Sequence, residues 1–347
     1  MPTMLAAVLH DYDDLRLDQV PVPRAAEVGD VVVEVKSCGF CLTDYKAIKG
    51  IRRNVTFPFL PGHEPSGTVA EVGPGVEHFR VGDQVVVQPL GHCGFCRNCR
   101  TGSTHYCEHA FVTGGDGPDE VWPGAFAQYL RTKETCLYPK PPQLSFDAAA
   151  ITEPLAAAWK GVIHHSQMQL SDDVVIIGAG SMGLLCLMVA KAAGAAHLIA
   201  VDTSEYALRR ASDLGATHTV NPTEADPKSR ISQIIPRGPD LVIEAAGAIE
   251  AVRLMVDLRR RGTRWNVFGI TTPEQFSLDG GLTHFLEGRM DASFGTTSLA
   301  MSQALRLMET RLIDTEKIIS HRFPLSRIND ALAVMESHQR TKVVINP

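Results

Sequence analysis

The segment Asp173–Gly183, DVVIIGAGSMG, constrains the fold more than any other stretch of the 347-residue chain. The β-branched run Val174–Ile177 leads directly into Gly178-x-Gly180-x-x-Gly183, and an Ala/Leu/Met-rich helical pattern follows. Each glycine has a physical task. The first permits a tight turn, the second lets backbone approach a pyrophosphate, and the third allows helix and strand to pack closely. Asp202 ends the next apolar run, Leu198–Val201, near the ~20-residue offset at which an acid reaches an adenosine ribose. Gly178, Gly180, Ser181, Met182, Gly183 and Asp202 are therefore expected to hold a dinucleotide. A carboxylate repels a 2′-phosphate, so the expected cofactor is NAD rather than NADP. Thr203 and Ser204 follow without an adjacent Arg, and Arg209 and Arg210 read as exposed helix charges.

The alternation continues through a helix at Ser204–Leu214, a strand at Leu241–Ile243, a helix from about Ile249 and a strand at Trp265–Phe268. This is the rhythm of a doubly wound parallel sheet, and Phe268 and Gly269, at the end of its last such strand, are further cofactor-binding candidates. The first 150 residues read differently. Short Val-rich runs (Val31–Val35, Thr68–Val72, Gln84–Val87) lie between Gly, Pro and Asp, which predicts an irregular β-rich domain. The tail carries helical patterns at Leu299–Arg311 and Ile328–Ser337 and a last strand at Val343–Ile345.

A net charge of −6 gives no global basic field for nucleic acid. The cluster Arg259–Arg261, with Arg253 and Arg264, reads as a cationic helix C-terminus. The apolar run Leu184–Ala190 is far below the roughly 20 residues of a membrane span. The opening MPTMLAAVLHDYDD lacks a charged n-region, so the expected compartment is the cytoplasm. In such a chain, eight cysteines point to metal or catalysis more than to disulfides.

Cys93-x2-Cys96-x2-Cys99-x7-Cys107 is the most specific local pattern. Four thiolates close a tetrahedral zinc shell with no open position, which is the structural arrangement. His92, His105 and His109 flank it and read as exposed loop histidines. A second set is dispersed: Cys38 and Cys41, then His63 and Glu64, then Glu153. Cys, His and carboxylate are the donors of a catalytic zinc that keeps a place for water or substrate. Trp122, in the loop Gly114–Gly124, reads either as a substrate contact or as a cover over a domain edge.

Through CGFCLTD, GHEPSGTVAEVG, VGDQVVV, CGFCRNC, TEPLAAAWKG, GAGSMG, EAAG and SHRFPL, nearly the whole chain resembles the zinc-containing medium-chain alcohol dehydrogenases, in the style of sorbitol, threonine and secondary-alcohol dehydrogenases. The resemblance implies an α/β protein. A GroES-like catalytic domain would span 1–155 with a structural-zinc lobe at about 90–110. A Rossmann domain would span 156–295, and 296–347 would return to the first domain. It implies two zinc ions: Cys41 rather than Cys38, with His63, Glu64 and Glu153, for the catalytic one, and Cys93, Cys96, Cys99 and Cys107 for the structural one. It also implies a Thr43 hydroxyl that takes the proton of a zinc-held alcohol, hydride transfer between that alcohol or its ketone and NAD, and a homo-oligomer (dimer or tetramer) with no membrane or nucleic-acid partner. Two positions depart from the family pattern. Lys46 stands where many relatives end the proton relay with His, and Ala207 stands where many carry Arg. Two carboxylates beside Cys41 and His63 would give the shell a charge of −3 against +2, so Glu64 and Glu153 are expected to exchange on the metal. The competing reading is a non-catalytic nucleotide- and zinc-binding structural protein on the same scaffold.

Overall fold

The structure is a computed structural model and describes residues 2–52, 55–115, 120–269, 275–337 and 339–347. It contains two compact units, one of Met1–Ala156, Gly295–Ser337 and Lys342–Pro347, the other of Ala157–Phe294 and His338–Thr341.

The first unit opens with the hairpin β1 (Thr3–Asp11) and β2 (Asp14–Pro21), then β3 (Asp30–Phe40), helix α1 (Leu42–Ile48), β4 (Glu64–Val72), β5 (Gln84–Val87) and β6 (Leu90–Gly91). The short helix α2 (Arg97–Arg100), β7 (Phe111–Thr113), β8 (Glu120–Trp122), β9 (Tyr129–Lys133), β10 (Leu137–Pro139), α3 (Phe146–Ala150) and α4 (Thr152–Trp159) follow. In the second unit come β11 (Asp173–Ile177), α5 (Ser181–Ala192), β12 (His197–Val201), α6 (Glu205–Leu214), β13 (His218–Val220), α7 (Pro227–Ile234), β14 (Leu241–Glu244), α8 (Ile249–Asp257), β15 (Arg264–Val267), α9 (Gly280–Leu286) and β16 (Arg289–Ala292). The chain then returns to the first unit with α10 (Ser298–Glu309), β17 (Ile319–Pro324), α11 (Ile328–Glu336) and β18 (Lys342–Asn346).

The main sheet of the first unit runs β10-β5-β4-β3-β18-β17, with β9 also on β3. Val31, Val33 and Val35 of β3 point into one apolar core with Leu9, Phe40, Phe126, Leu130 and Ile345, and each such side chain contributes about 1.5–3 kcal/mol of burial. All three partners of β3 are antiparallel to it. Gly39 faces Glu64 of β4 on one side and Val344 of β18 on the other. A strand from the extreme end of the chain is thus placed beside the residues that precede Cys41. The predicted strand Thr68–Val72 begins earlier, at Glu64, because its pairing with β3 continues back to Gly39.

The second unit is a six-stranded parallel sheet of order β13-β12-β11-β14-β15-β16. Its central strands β11, β12 and β14 read as near-continuous apolar runs because helices cover parallel sheets on both faces; Val174, Val175 and Ile176 are fully buried. Helix α6 is capped at its start by Ser204, which accepts from the Ala207 N–H at 3.3 Å, and stopped by Gly215 at φ 113°. Trp265, 2% exposed, donates from its indole N–H to the Leu258 carbonyl at 3.2 Å. The arginine cluster corrects one expectation. Helix α8 ends at Asp257, and Leu258 already has ψ 93°, so Arg259–Arg261 lie in the turn beyond it. There Arg260 pairs with Asp240 instead of neutralising helix carbonyls. Strand β15 likewise stops at Val267, one residue before Phe268. Among the described residues no helix is long and apolar enough to cross a membrane.

Candidate active site and metal centres

Strand β3 decides which cysteine faces the site. Cys38 is fully buried among the core side chains, and burial pushes its thiol well above the ordinary range. Three residues on, the strand has ended and Cys41 forms the N-cap of α1 with extended φ/ψ of −87° and 154°. Its sulfur, a ring nitrogen of His63 and a carboxylate oxygen of Glu64 all lie within 4.8 Å of one another. His63 immediately precedes β4, and Glu64 is its first residue.

Two residues that sequence reasoning passed over complete this arrangement. Asp44, 2% exposed, sits in the first turn of α1. Its carboxylate accepts from the Cys41 N–H at 3.0 Å and the Gly62 N–H at 3.1 Å, and it faces His63 Nδ1 at 3.1 Å. One side chain therefore caps the helix, fixes the turn before His63 and aims the other ring nitrogen, Nε2, away from itself. Its signal was present as an acid three residues after an N-cap. Burial depresses the His63 imidazolium, but Asp44 and Cys41 outweigh it and raise its pKa well above the usual value.

The second is Lys342, 2% exposed, whose ammonium donates to the carboxylate of Glu64, 1% exposed, at 2.5–2.6 Å. Gly39 leaves room for this pair, since a Cβ there would stand 1.9 Å from Glu64 Oε2 and 2.9 Å from Lys342 Cε. Nothing local in KVVIN marks the lysine; only the insertion of β18 beside β3 brings it in. The sequence-based charge count omitted this cation, so Glu64 enters the site with its own counterion. Glu153, in the first turn of α4, is half-buried. Burial, followed by the Glu64 charge, pushes its carboxyl up to about 7. It lies outside the 4.8 Å group of ligand atoms.

Thr43 Oγ lies 3.4 Å from His63 Nε2. Thr43, Asp44, Ala47, Phe59, His63, Gly114 and Gly115 line a small recess. Lys46 is half-buried further along α1, where its carbonyl accepts from the Ile51 and Arg52 N–H groups at 2.9 and 3.0 Å. Part of the Gly114–Gly124 loop, residues 116–119, lies outside the described residues. Trp122 is occupied structurally. It is 8% exposed, stacked on Phe111 at 4.1 Å, with the Arg131 guanidinium 4.4 Å from its ring centroid.

The sulfurs of Cys93, Cys96, Cys99 and Cys107 form a second group, again within 4.8 Å of one another. Cys96 Sγ and Cys99 Sγ lie 3.5 Å apart, far from the ~2.05 Å of a disulfide. Backbone amides are aimed at the sulfurs: Phe95 and Cys96 at Cys93, both 3.4 Å, and Cys93 and His109 at Cys107, both 3.3 Å. The amides of Cys96 and Phe95 draw the Cys93 thiol down to about 6, whereas burial pushes Cys99 up to about 12. Four crowded sulfurs cannot all ionise without a cation among them, and the donor chemistry fits zinc. Helix α2 has no buried residue and Phe95 is 78% exposed, so the lobe has little apolar core of its own. His105 corrects the reading of the flanking histidines: it is 8% exposed, with its ring 3.8 Å from that of Tyr106, while His92 is half-buried and His109 exposed.

In the second unit the glycine turn has the geometry its spacing predicts. Gly178 has φ 95°, a Cβ on Gly183 would stand 1.8 Å from the Gly178 carbonyl, and a Cβ on Gly180 would meet nothing within 4 Å. The first two are required by the fold, whereas Gly180 leaves open space in front of α5. Asp202 accepts from the Ala179 N–H at 2.7 Å and the Ser204 N–H at 2.8 Å, which holds its carboxylate across the turn with further lone pairs available. Ser181 Oγ donates to the Thr341 carbonyl at 2.7 Å, and Met182 is half-buried. Phe268 packs its ring against Gly161, and Gly269 donates to the Glu244 carbonyl at 2.9 Å.

Residues 27–142 match the alcohol dehydrogenase GroES-like domain family, and residues 181–310 match the zinc-binding dehydrogenase family. The chain is 31% identical over 341 residues to L-threonine 3-dehydrogenase of Bacillus subtilis, covering 95% of this chain and 94% of the relative. Alcohol dehydrogenase TADH from Thermus sp. ATN1 superposes with a TM-score of 0.93 at 28% identity, covering 99% of both chains. A zinc-binding dehydrogenase of Sinorhizobium meliloti 1021, solved bound to NADP, superposes with a TM-score of 0.91 at 29% identity, covering 100% of both. The chain belongs to the zinc-containing medium-chain alcohol dehydrogenase family, with the GroES-like and Rossmann folds of that family. It is an oxidoreductase, a zinc-dependent dehydrogenase acting on CH–OH groups with a nicotinamide dinucleotide as cofactor.

Proposed function

We propose that the protein oxidises a secondary alcohol or polyol to the ketone, and runs the reverse reaction, with NAD and two zinc ions per chain. The observation that carries this reading is the convergence of Cys41, His63 and Glu64 donor atoms within 4.8 Å, with the Thr43 hydroxyl 3.4 Å from His63. When bound, zinc supplies Lewis acidity toward the alcohol oxygen and the dinucleotide accepts hydride. The chain does the rest. Thr43 takes the hydroxyl proton and passes it outward. Asp44 fixes the ring orientation and tautomer of His63. Lys342 holds the Glu64 carboxylate, and Glu153 is the second acid that exchanges with it at the metal. Lys46 lies on the same helix as Thr43 but stands where many relatives end the relay with His, so water is assigned as the proton outlet.

Residues 1–155 and 296–347 are assigned to alcohol handling, with the structural-zinc lobe at about 90–110, and residues 156–295 to cofactor binding. The carboxylate of Asp202 at the end of β12 supports NAD, even though one relative was solved with NADP. The eight cysteines carry no disulfide among the described residues, which suits the reducing cytoplasm. Phe276, Leu278 and Phe285, exposed on the second unit, support a dimer or tetramer.

The test is a panel of polyols, amino alcohols and secondary alcohols offered with NAD⁺ or NADP⁺, read as reduced cofactor. Turnover with NAD⁺ preferred is the expected result, and Asp202→Gly should narrow that preference. Two bound zinc ions with no turnover on any alcohol would support the non-catalytic reading, and comparable kcat/KM for both cofactors would remove the role given to Asp202.

A further inference from the structure

The six-stranded sheet changes direction between β11 and β14. From β11 the chain builds outward through β12 and β13, and then returns to add β14, β15 and β16 on the other side. A dinucleotide lies across the carboxyl ends of the strands at such a switch point. With Asp202 at the end of β12 and the glycine turn at the end of β11, the adenosine half occupies one side. The nicotinamide half must then reach over β14, β15 and β16.

On that side the strand ends are tied by a buried polar network. A π-helical turn, Lys160–His165, follows α4, and such turns are frequent at functional sites. Lys160, 1% exposed, donates its ammonium to the Phe294 carbonyl. His165 Nδ1 faces the Ala292 carbonyl at 3.1 Å. The Nδ2 of Asn266 of β15, fully buried, shares its two N–H groups among the Gly161 carbonyl at 3.1 Å, Ser166 Oγ at 2.8 Å and Ser293 Oγ at 3.1 Å. Gly161 is pressed between the Phe268 ring and Ser293 Oγ, which a Cβ would meet at 2.7 and 3.1 Å. Residues 292–294, the last of β16 and the two that follow it, are thus fixed from behind by side chains of the π turn and β15.

A neutral residue would bury at Lys160 with far less desolvation cost. We infer that Lys160 is a positioning residue for the nicotinamide half of the cofactor, acting through the backbone of residues 292–294. The inference rests on the proposed dinucleotide site of the second unit. Lys160 touches that segment and is given no contact with the reacting atoms. Its removal should therefore loosen the nicotinamide end while leaving the adenosine end, at Asp202 and the glycine turn, as it was.

Calorimetric titration of the zinc-loaded protein with NADH and with ADP-ribose separates the two ends, because ADP-ribose lacks the nicotinamide. For Lys160→Met the NADH Kd should rise about tenfold and the ADP-ribose Kd should stay within about twofold. Lys160→Gln, which keeps an N–H donor, should recover part of the difference. Should Lys160→Met not fold, His165→Leu decides, since that half-buried side chain can be replaced with less disturbance; a smaller loss with the same split is expected. Equal weakening of both ligands would show a merely structural role and overturn the inference, as would no change in either. Wild-type protein that binds neither ligand would instead sink the dinucleotide site beneath it.

Discussion

The four cysteines of the lobe and the ligand atoms around His63 are built in opposite ways within one unit. Every lobe sulfur comes from the single segment Cys93–Cys107, and the backbone amides that face those sulfurs come from that segment and from His109 just beyond it. The other group draws on the end of β3, the start of β4 and, for its counterion, the start of β18. The lobe has almost no apolar core to survive metal loss. The His63 group stands on a sheet whose core persists without it. On the function proposed above, the closed, local set is a folding device and the dispersed one a reaction site supported by an independent fold.

The sharpest way to break this contrast is to remove one sulfur from each set. Cys99→Ser should collapse the lobe and lower protein yield and Tm, because a structural zinc is worth on the order of 10 kcal/mol to a small coreless module. Cys41→Ser should leave Tm nearly unchanged and lower kcat/KM at least about 10³-fold, roughly 4 kcal/mol of transition-state stabilisation. Metal analysis should fall from about two zinc per chain to about one in each variant. A Cys41→Ser protein that unfolds as readily as Cys99→Ser would erase the distinction.

Next in size is the buried pair. Lys342→Met strands the Glu64 carboxylate, and breaking a buried pair from one side costs about 3–5 kcal/mol. Denaturant unfolding should show that loss, and adding Glu64→Gln should recover most of it. A loss of similar size in the double variant would mean that packing of the lysine stem, rather than charge, mattered.

Asp44→Asn should lower zinc affinity or kcat/KM about 10- to 100-fold, as expected when a histidine ligand loses its orienting carboxylate. Competition with a chelator reads the first and steady-state kinetics the second. Wild-type values in both assays would remove Asp44 from the site. The smallest effect is expected from the exchanging acids. Glu64→Gln and Glu153→Gln should each keep zinc while lowering kcat by about tenfold, and the double variant should lose metal. One fully active single variant would end the exchange.

The amino-acid order by itself determined whatever depends on neighbours in the chain. The glycine turn was legible because Gly178, Gly180 and Gly183 act within one strand–helix junction. The cysteine lobe was legible because its spacing is its geometry, and the βαβ rhythm because the central parallel strands are almost wholly apolar. Errors of detail had local causes too: Leu258 leaves the helix before the arginines, and β15 ends one residue before Phe268. Tertiary structure alone decided what depends on register between distant strands. Cys38 and Cys41 are alike in sequence, and only the length of β3 sends one into the core and the other to His63. Lys342 carries no mark in KVVIN, yet the pairing of β18 with β3 sets its ammonium on Glu64 and alters the charge balance of the site. A buried charge is acceptable only beside its partner, and the partner stands 278 positions away in the chain.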